Sequence, residues 1–214
     1  VLSRKSPLVV KIGGSLAGSP ELSGWLAALE LFAGPLVLVP GGGVFADAVR
    51  GMQAKMQFDD VAAHRMALLA MQQYGLALCS LWPRLCCADS IAGIRVTLKH
   101  GRVACWTPRN VSGLPQTWDV TSDTLAAWLA GSLRAKRLLL IKSAEAKPSA
   151  NLADLAEAGM VDPLFATFAA ASGAKIFIAG PQSLPRAAQD FAQDDVPGVS
   201  PGLAPGILPN GREG

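Results

Sequence analysis

Val9-Val10-Lys11-Ile12-Gly13-Gly14-Ser15 is a short β-branched apolar run that carries one lysine and stops at two glycines and a serine. The strand it predicts, Leu8 to Lys11, is followed by a helical pattern from Pro20 to Leu31. The same order returns at once. Leu36 to Val39 is apolar and β-rich, Pro40-Gly41-Gly42-Gly43 breaks it, and Val44 to Met56 has helical spacing of Val44, Phe45, Ala48 and Met52. These are two consecutive strand, glycine loop, helix units.

Further along, Asp59 to Leu81 reads as a long helix interrupted at Gly75, residues 94 to 106 as strand pieces around a hairpin turn at His100-Gly101-Arg102, and Asn110 to Thr117 as loop. Thr121-Ser122-Asp123 opens a helix that runs to Gly131, and Arg137 to Lys142 is another short apolar strand. Helical patterns near 151 to 158 and 161 to 171 lead to a last strand, Lys175 to Ala179, and a helix around Leu184 to Phe191. Strands that are apolar throughout and alternate with helices imply an α/β fold with a mainly parallel sheet covered on both faces. Ligands in such sheets bind beyond the carboxyl ends of the strands, where Lys11 and both glycine loops must lie.

The 214 residues, half of them hydrophobic and 16% charged, suit one compact domain over residues 1–196, with a Pro/Gly-rich, poorly packed tail over 197–214. No apolar run approaches the roughly 20 residues of a membrane span, and no leader-like segment precedes the first strand, so a cytoplasmic protein is expected. A net charge of +3, spread without a basic block, argues against a nucleic-acid partner. Cys79, Cys86, Cys87 and Cys105 lack CxxC spacing and read as buried, reduced thiols.

A glycine loop between a strand and a helix N-terminus aims backbone N–H groups at an anion, and the helix dipole reinforces them. Gly13, Gly14 and Ser15 form one such nest, and Gly41, Gly42 and Gly43 a second whose backbone is open to close approach by a ligand. Neither GxxxxGK[ST] nor GxGxxG is present, so the phosphate geometry differs from the two commonest nucleotide motifs. Lys11, at a strand end, is placed to neutralise a phosphoryl group in transfer. Asp123 reads either as an acid that orients Lys11 or a metal ion, or as a first-turn carboxylate complementing the helix dipole. Asp119 lies four residues earlier, on the same face if both are helical. Lys142 closes its strand on the same edge and could meet a nucleotide phosphate. His64 and Arg65 are candidates to read polar groups of an acceptor, with a structural role as the alternative for the histidine.

VVKIGGS, VPGGGVFADAVR and WDVTSDTLAAWLA, in that order and spacing, resemble the amino acid kinase superfamily. The resemblance implies a three-layer αβα sandwich, with an acceptor-binding part over about 1–118, a nucleotide-binding part over about 119–196, and homo-oligomers. It implies transfer from ATP, with Mg2+ on the donor phosphates, to a small phosphorylated acceptor. Lys11 matches the lysine that contacts the transferred phosphoryl group, and Asp123 the aspartate that organises the catalytic lysines. Gly13, Gly14 and Ser15 match the phosphate turn, Gly41 to Gly43 the acceptor loop, and Lys142 with Ser143 the start of the nucleotide segment. His64 and Asp119 complete the acceptor side. Cys105 to Asp123 is most similar to the methanofuran-biosynthesis branch, which phosphorylates an aminomethylfuran-methanol phosphate. Two departures stand out. Gly159-Met160-Val161-Asp162-Pro163 lacks the second family lysine, for which Lys142 or Lys147 is a substitute, and the segment after Ser143 is short. The rival expectation is a non-catalytic relative that binds a nucleotide or phosphometabolite as a subunit of an assembly.

Overall fold

The computed structural model describes residues 5–147 and 150–202. Strands β1 (Leu8–Ile12), β2 (Leu36–Pro40), β3 (Leu85–Ala88), β4 (Val103–Trp106), β5 (Arg137–Ile141) and β6 (Lys175–Ala179) form a parallel sheet in the order β3-β4-β2-β1-β5-β6. Because parallel strands need crossovers, helices occupy both faces. They are α1 (Glu21–Glu30), α2 (Gly43–Met56), α3 (Asp60–Leu81), α4 (Ile91–Lys99), α5 (Ser122–Leu133), α6 (Leu152–Glu157), α7 (Phe165–Ser172) and α8 (Leu184–Ala192). The expected three-layer α/β sandwich is what the chain adopts.

Strand alternation divides the core. Val9, Val37, Val39, Leu138 and Leu140 pack with α5 and α7 on one face, while Leu8, Val10, Ile12, Leu139 and Ile141 pack with α1, α3 and α8 on the other. On β1 the alternation that turns Val9 toward α5 also turns Lys11 that way. Leu140 does the same on β5, so Lys142, two residues on, continues on the α5 face.

Four local expectations change. Residues 94–99, expected as strand, belong to helix α4: Ser90 caps it by accepting from Gly93 N–H at 3.1 Å, and Ile94 is fully buried. His100-Gly101 therefore ends a helix, with Gly101 at φ +71°, and leads into a parallel strand instead of a hairpin. Gly75 does not interrupt α3. A Cβ there would stand 2.7 Å from Thr107 Cγ2 and 3.2 Å from Cys105 Sγ, so the glycine lets the helix lie close on β4. Residues 161–164 precede α7 without joining it. Of the expected loose tail, Val199 pairs with Ile178 in an antiparallel bridge and Gly202 C=O accepts from Leu152 N–H; residues 203–214 lie outside the described part.

Candidate active site

At the carboxyl edge of β1 and β5, the side chains of Lys11 and Lys142 converge on Asp123. Lys11 Nζ lies 2.8 Å from Asp123 Oδ1, and Lys142 Nζ donates to Asp123 Oδ2 at 2.5 Å. Lys11 and Asp123 are only 5% and 3% exposed, and ions withdrawn from water this far persist only when paired. Burial alone would raise the Asp123 carboxyl, but the two lysines outweigh it and hold it below the ordinary aspartate value. Burial and the neighbouring Lys11 charge push the Lys142 ammonium down to about 8, against the pull of Asp123. Two ammonium groups share one carboxylate, so the trio has a net charge of +1 when all three are ionised.

Asp123 is the second residue of α5, and the helix start is fixed from outside. Thr121 makes no side-chain cap bond. Instead, Asp162 Oδ2 accepts from Thr121 N–H at 3.0 Å and Thr124 N–H at 2.9 Å, and Asp162 Oδ1 accepts from the Thr121 hydroxyl. The buried Asp162 carboxyl is raised by burial and by the Asp123 charge, although these hydrogen bonds oppose the shift. Asp162 belongs to the run that lacks the family lysine. Its side chain takes up the N–H of Thr121, just before the helix that carries Asp123, and that of Thr124 in its first turn.

The glycine loops are packed on one another. A Cβ on Gly14 would lie 2.1 Å from Gly43 N, and one on Gly41 2.4 Å from Gly14 N. Gly43 has φ +52°, a left-handed conformation suited to glycine. The glycines therefore answer first to contact between loops, where the sequence suggested only approach by a ligand. Gly13 N–H donates to Ile141 C=O and Gly41 N–H to Ile12 C=O, each at 2.9 Å, which spends these two donors inside the protein. Ser15 and Ser143 hydroxyls are 2.8 Å apart and join the turn after β1 to the segment after β5.

Beside this seam is a cavity of about 280 Å³, lined by Gly14, Ser15, Gly42 and Gly43 and by residues of α2, α3, α5 and the loop before α5. Leu68, Met71, Val120 and Leu125 supply apolar wall, while Asp47, Arg50, His64 and Ser122 bring polar groups. Trp118 donates its indole N–H to Gln53 Oε1 at 2.7 Å, and the Arg50 guanidinium stands 4.3 Å from the centre of its ring. His64 Nε2 is buried with no hydrogen-bond partner among the described residues, and burial lowers the imidazole pKa, favouring the neutral ring.

Lys11, Asp123, Lys142, Ser15 and Ser143 thus meet at one edge, and Gly14, Gly42, Gly43 and His64 reach the cavity. Gly13 and Gly41 are buried behind it. Asp119 is not brought in: it is exposed, bonded locally to Thr117, and absent from the cavity wall. Arg65 and Lys147 are exposed and apart from the trio. The sequence reading missed Arg50, Trp118 and Asp162. Arg50 and Trp118 sit inside the quoted motifs, but only the packing of α2 against the loop before α5 brings them together. Among the described residues no group of three or more His, Cys, Asp or Glu could hold a metal ion, and Asp123 already faces two lysines.

A parallel αβα sandwich with backbone loops and paired ammonium groups on one sheet edge defines a class built to meet anions there. The amino acid kinase family model matches residues 6–146, and the chain belongs to that family. It is similar to [5-(aminomethyl)furan-3-yl]methyl phosphate kinase of Methanocaldococcus jannaschii, with 24% identity over 140 residues, or 62% of this chain and 63% of that protein. The match therefore spans less than two thirds of that relative. The structure is similar to uridylate kinase from Archaeoglobus fulgidus, with TM-score 0.70, 17% identity, and 91% of this chain and 98% of that one covered. It is also similar to isopentenyl phosphate kinase, with TM-score 0.61, 14% identity, and coverage of 90% and 99%. At these identities the likeness establishes the fold.

Proposed function

We propose that the chain is a phosphotransferase that moves the γ-phosphoryl group of ATP to a small phosphorylated acceptor, of the class represented by [5-(aminomethyl)furan-3-yl]methyl phosphate. The observation that carries this reading is the buried Lys11–Asp123–Lys142 trio at the shared edge of β1 and β5. Phosphoryl transfer asks little covalent work of a protein and depends on position and charge. Asp123 holds both ammonium groups in place before substrates arrive, and these groups offset the charge on the oxygens of the moving phosphoryl group. Lys142, placed by the same carboxylate, supplies the second positive charge that Gly159–Pro163 lacks. Mg2+ enters on the ATP phosphates as part of the co-substrate, consistent with a protein that keeps its own carboxylates occupied.

The cavity beside the glycine seam takes the acceptor. Trp118, Leu68 and Met71 flank an apolar ring, and the Gly42-Gly43 turn and Arg50, which is paired with Asp47 at 3.0 Å, face its phosphate. The unpartnered Nε2 of His64 is available to the same ligand. ATP is supplied in the cytoplasm, the setting this reading assigns. Self-association belongs to it as well, since Leu69 and Leu76 are exposed seven residues apart on α3, leaving an apolar stripe for a second copy.

The test is ADP release with MgATP and [5-(aminomethyl)furan-3-yl]methyl phosphate, with UMP and isopentenyl phosphate as competing acceptors. Turnover is expected with the furan phosphate, with one diphosphate formed per ADP. The missing family lysine motivates a second reading, a nucleotide- or phosphometabolite-binding subunit of an assembly. It prevails if MgATP at 100 times its Kd adds about 2.7 kcal/mol of stability while no acceptor yields ADP.

A further inference from the structure

Away from the kinase centre, three of the four cysteines meet at the sheet edge. Strand alternation turns Cys87 and Cys105, which are register partners on β3 and β4, toward α3, and turns Cys86 to the opposite face. Gly75 lets α3 approach β4 closely, and the Cys105 thiol makes a 3.9 Å contact with Gly75 C=O. One helical turn later, Cys79 comes down on Cys87, with their sulfurs 3.1 Å apart. A disulfide requires about 2.0 Å, so about an ångström of closure separates two free thiols from a bond. Cys87 is exposed on the edge strand, Cys79 half-buried and Cys105 buried.

We propose that Cys79 and Cys87 are a peroxide-responsive dithiol that closes to a disulfide while Cys105 stays reduced. The Cys87 thiol is pulled down to about 6, chiefly by hydrogen bonding to Cys105 and further by Cys79 and Thr107, against burial. Cys105 is shifted the other way by the neighbouring thiols and by burial, and so keeps its proton. An exposed thiolate beside a second thiol is the arrangement that reacts with hydroperoxides. The Cys87 thiolate attacks one peroxide oxygen, the O–O bond breaks, and hydroxide leaves and takes up a proton as water. The Cys79 sulfur then attacks the resulting sulfenic sulfur. The S–O bond breaks, and hydroxide departs with the Cys79 proton as a second water. In sum, two thiols lose two hydrogens and one hydrogen peroxide is reduced to two waters. The bond ties the last turn of α3 to edge strand β3, and thiol reductants reverse it, as expected of a transient intracellular disulfide.

The experiment is peptide mapping of the full chain after a small excess of hydrogen peroxide, with free thiols alkylated before digestion and no reductant added. The expected result is loss of two of the four alkylatable thiols, recovery of a Cys79–Cys87 crosslinked peptide, and restoration of both thiols by dithiothreitol. Cys86→Ser should keep the crosslink. Cys79→Ser should instead stop at a sulfenic acid on Cys87 that dimedone traps. The proposal is overturned if wild-type Cys79 and Cys87 both remain fully alkylated after peroxide treatment, or if the crosslink runs through Cys86 or Cys105.

Discussion

The carboxyl edge of the sheet is built by two different means. Between β1 and β2 it is backbone against backbone, with Gly14, Gly41 and Gly43 in contact that no Cβ would permit. Between β1 and β5 it is charge against charge, with Lys11 and Lys142 both in contact with Asp123. The first half is fixed by non-bonded backbone packing without titratable groups and is indifferent to pH. The second is held by two ion pairs to one carboxylate, with one positive charge left over, so it responds to protons. A closely packed backbone seam thus stands beside a charge cluster with one positive charge unmatched.

The largest effect expected from breaking this contrast is on the charged half. Asp123→Asn leaves two buried ammonium groups facing each other, and removing one partner from a buried ion pair costs about 3–5 kcal/mol. Urea unfolding at neutral pH should show that loss. It should shrink as pH rises toward about 8 and level off above it, because without the Asp123 charge Lys142 sheds its proton at a lower pH than in the wild type; a loss below about 1 kcal/mol at every pH, on the scale of a surface pair, would contradict a buried cluster.

On the backbone half, Gly41→Ala places a methyl group 2.4 Å from Gly14 N. Overpacking of this kind costs about 1–3 kcal/mol. The loss should be the same at pH 6 and pH 9, and an unchanged melting temperature would show that the two loops are not held as described.

A smaller effect separates the halves by titration. The Lys142 ammonium, at about 8 in the free protein, stabilises transferring charge only while protonated. kcat/KM should therefore be level below that value and fall about tenfold per pH unit above it. Lys142→Arg, which stays charged, should lack the fall whatever its absolute rate; a descending limb that persists in this variant belongs to another group.

The smallest expected change is at the support behind Asp123. Asp162→Ala removes the acceptor for Thr121 and Thr124 N–H, and losing such a cap costs about 0.5–2 kcal/mol. Faster amide exchange should be confined to the first turn of α5. Uniform exchange across α5 and α7 would show instead that Asp162 supports the whole layer.

The backbone half was legible in the sequence because its information is local: a β-branched run, then glycines, then helical spacing, twice over. Lys11 and Asp123 could be chosen from their positions at a strand end and a helix start. Lys142 was correctly placed on the edge, but alternation along β5 had to be combined with the β1–β5 register to bring it onto Asp123. Asp162 was not legible, since its bonds to α5 span about forty residues and no local pattern announces a cap supplied from elsewhere. Strand β3 went unread, and helix α4 was misread for the opposite reason. Ile91, Ile94, Val96 and Thr97 have strand-like propensity, and only the Ser90 cap and burial of Ile94 make the segment a helix.

Turnover of Lys11→Ala against the wild type tests most directly whether the charged half is where phosphoryl transfer occurs. It is measured as ADP release at saturating MgATP and [5-(aminomethyl)furan-3-yl]methyl phosphate, in a variant verified as folded. Removing one pre-positioned electrostatic stabiliser typically lowers kcat by about 10²–10³, and that loss is predicted here with substrate binding retained. Near-normal turnover by the folded variant would contradict the assignment of the Lys11–Asp123–Lys142 trio as the transfer centre.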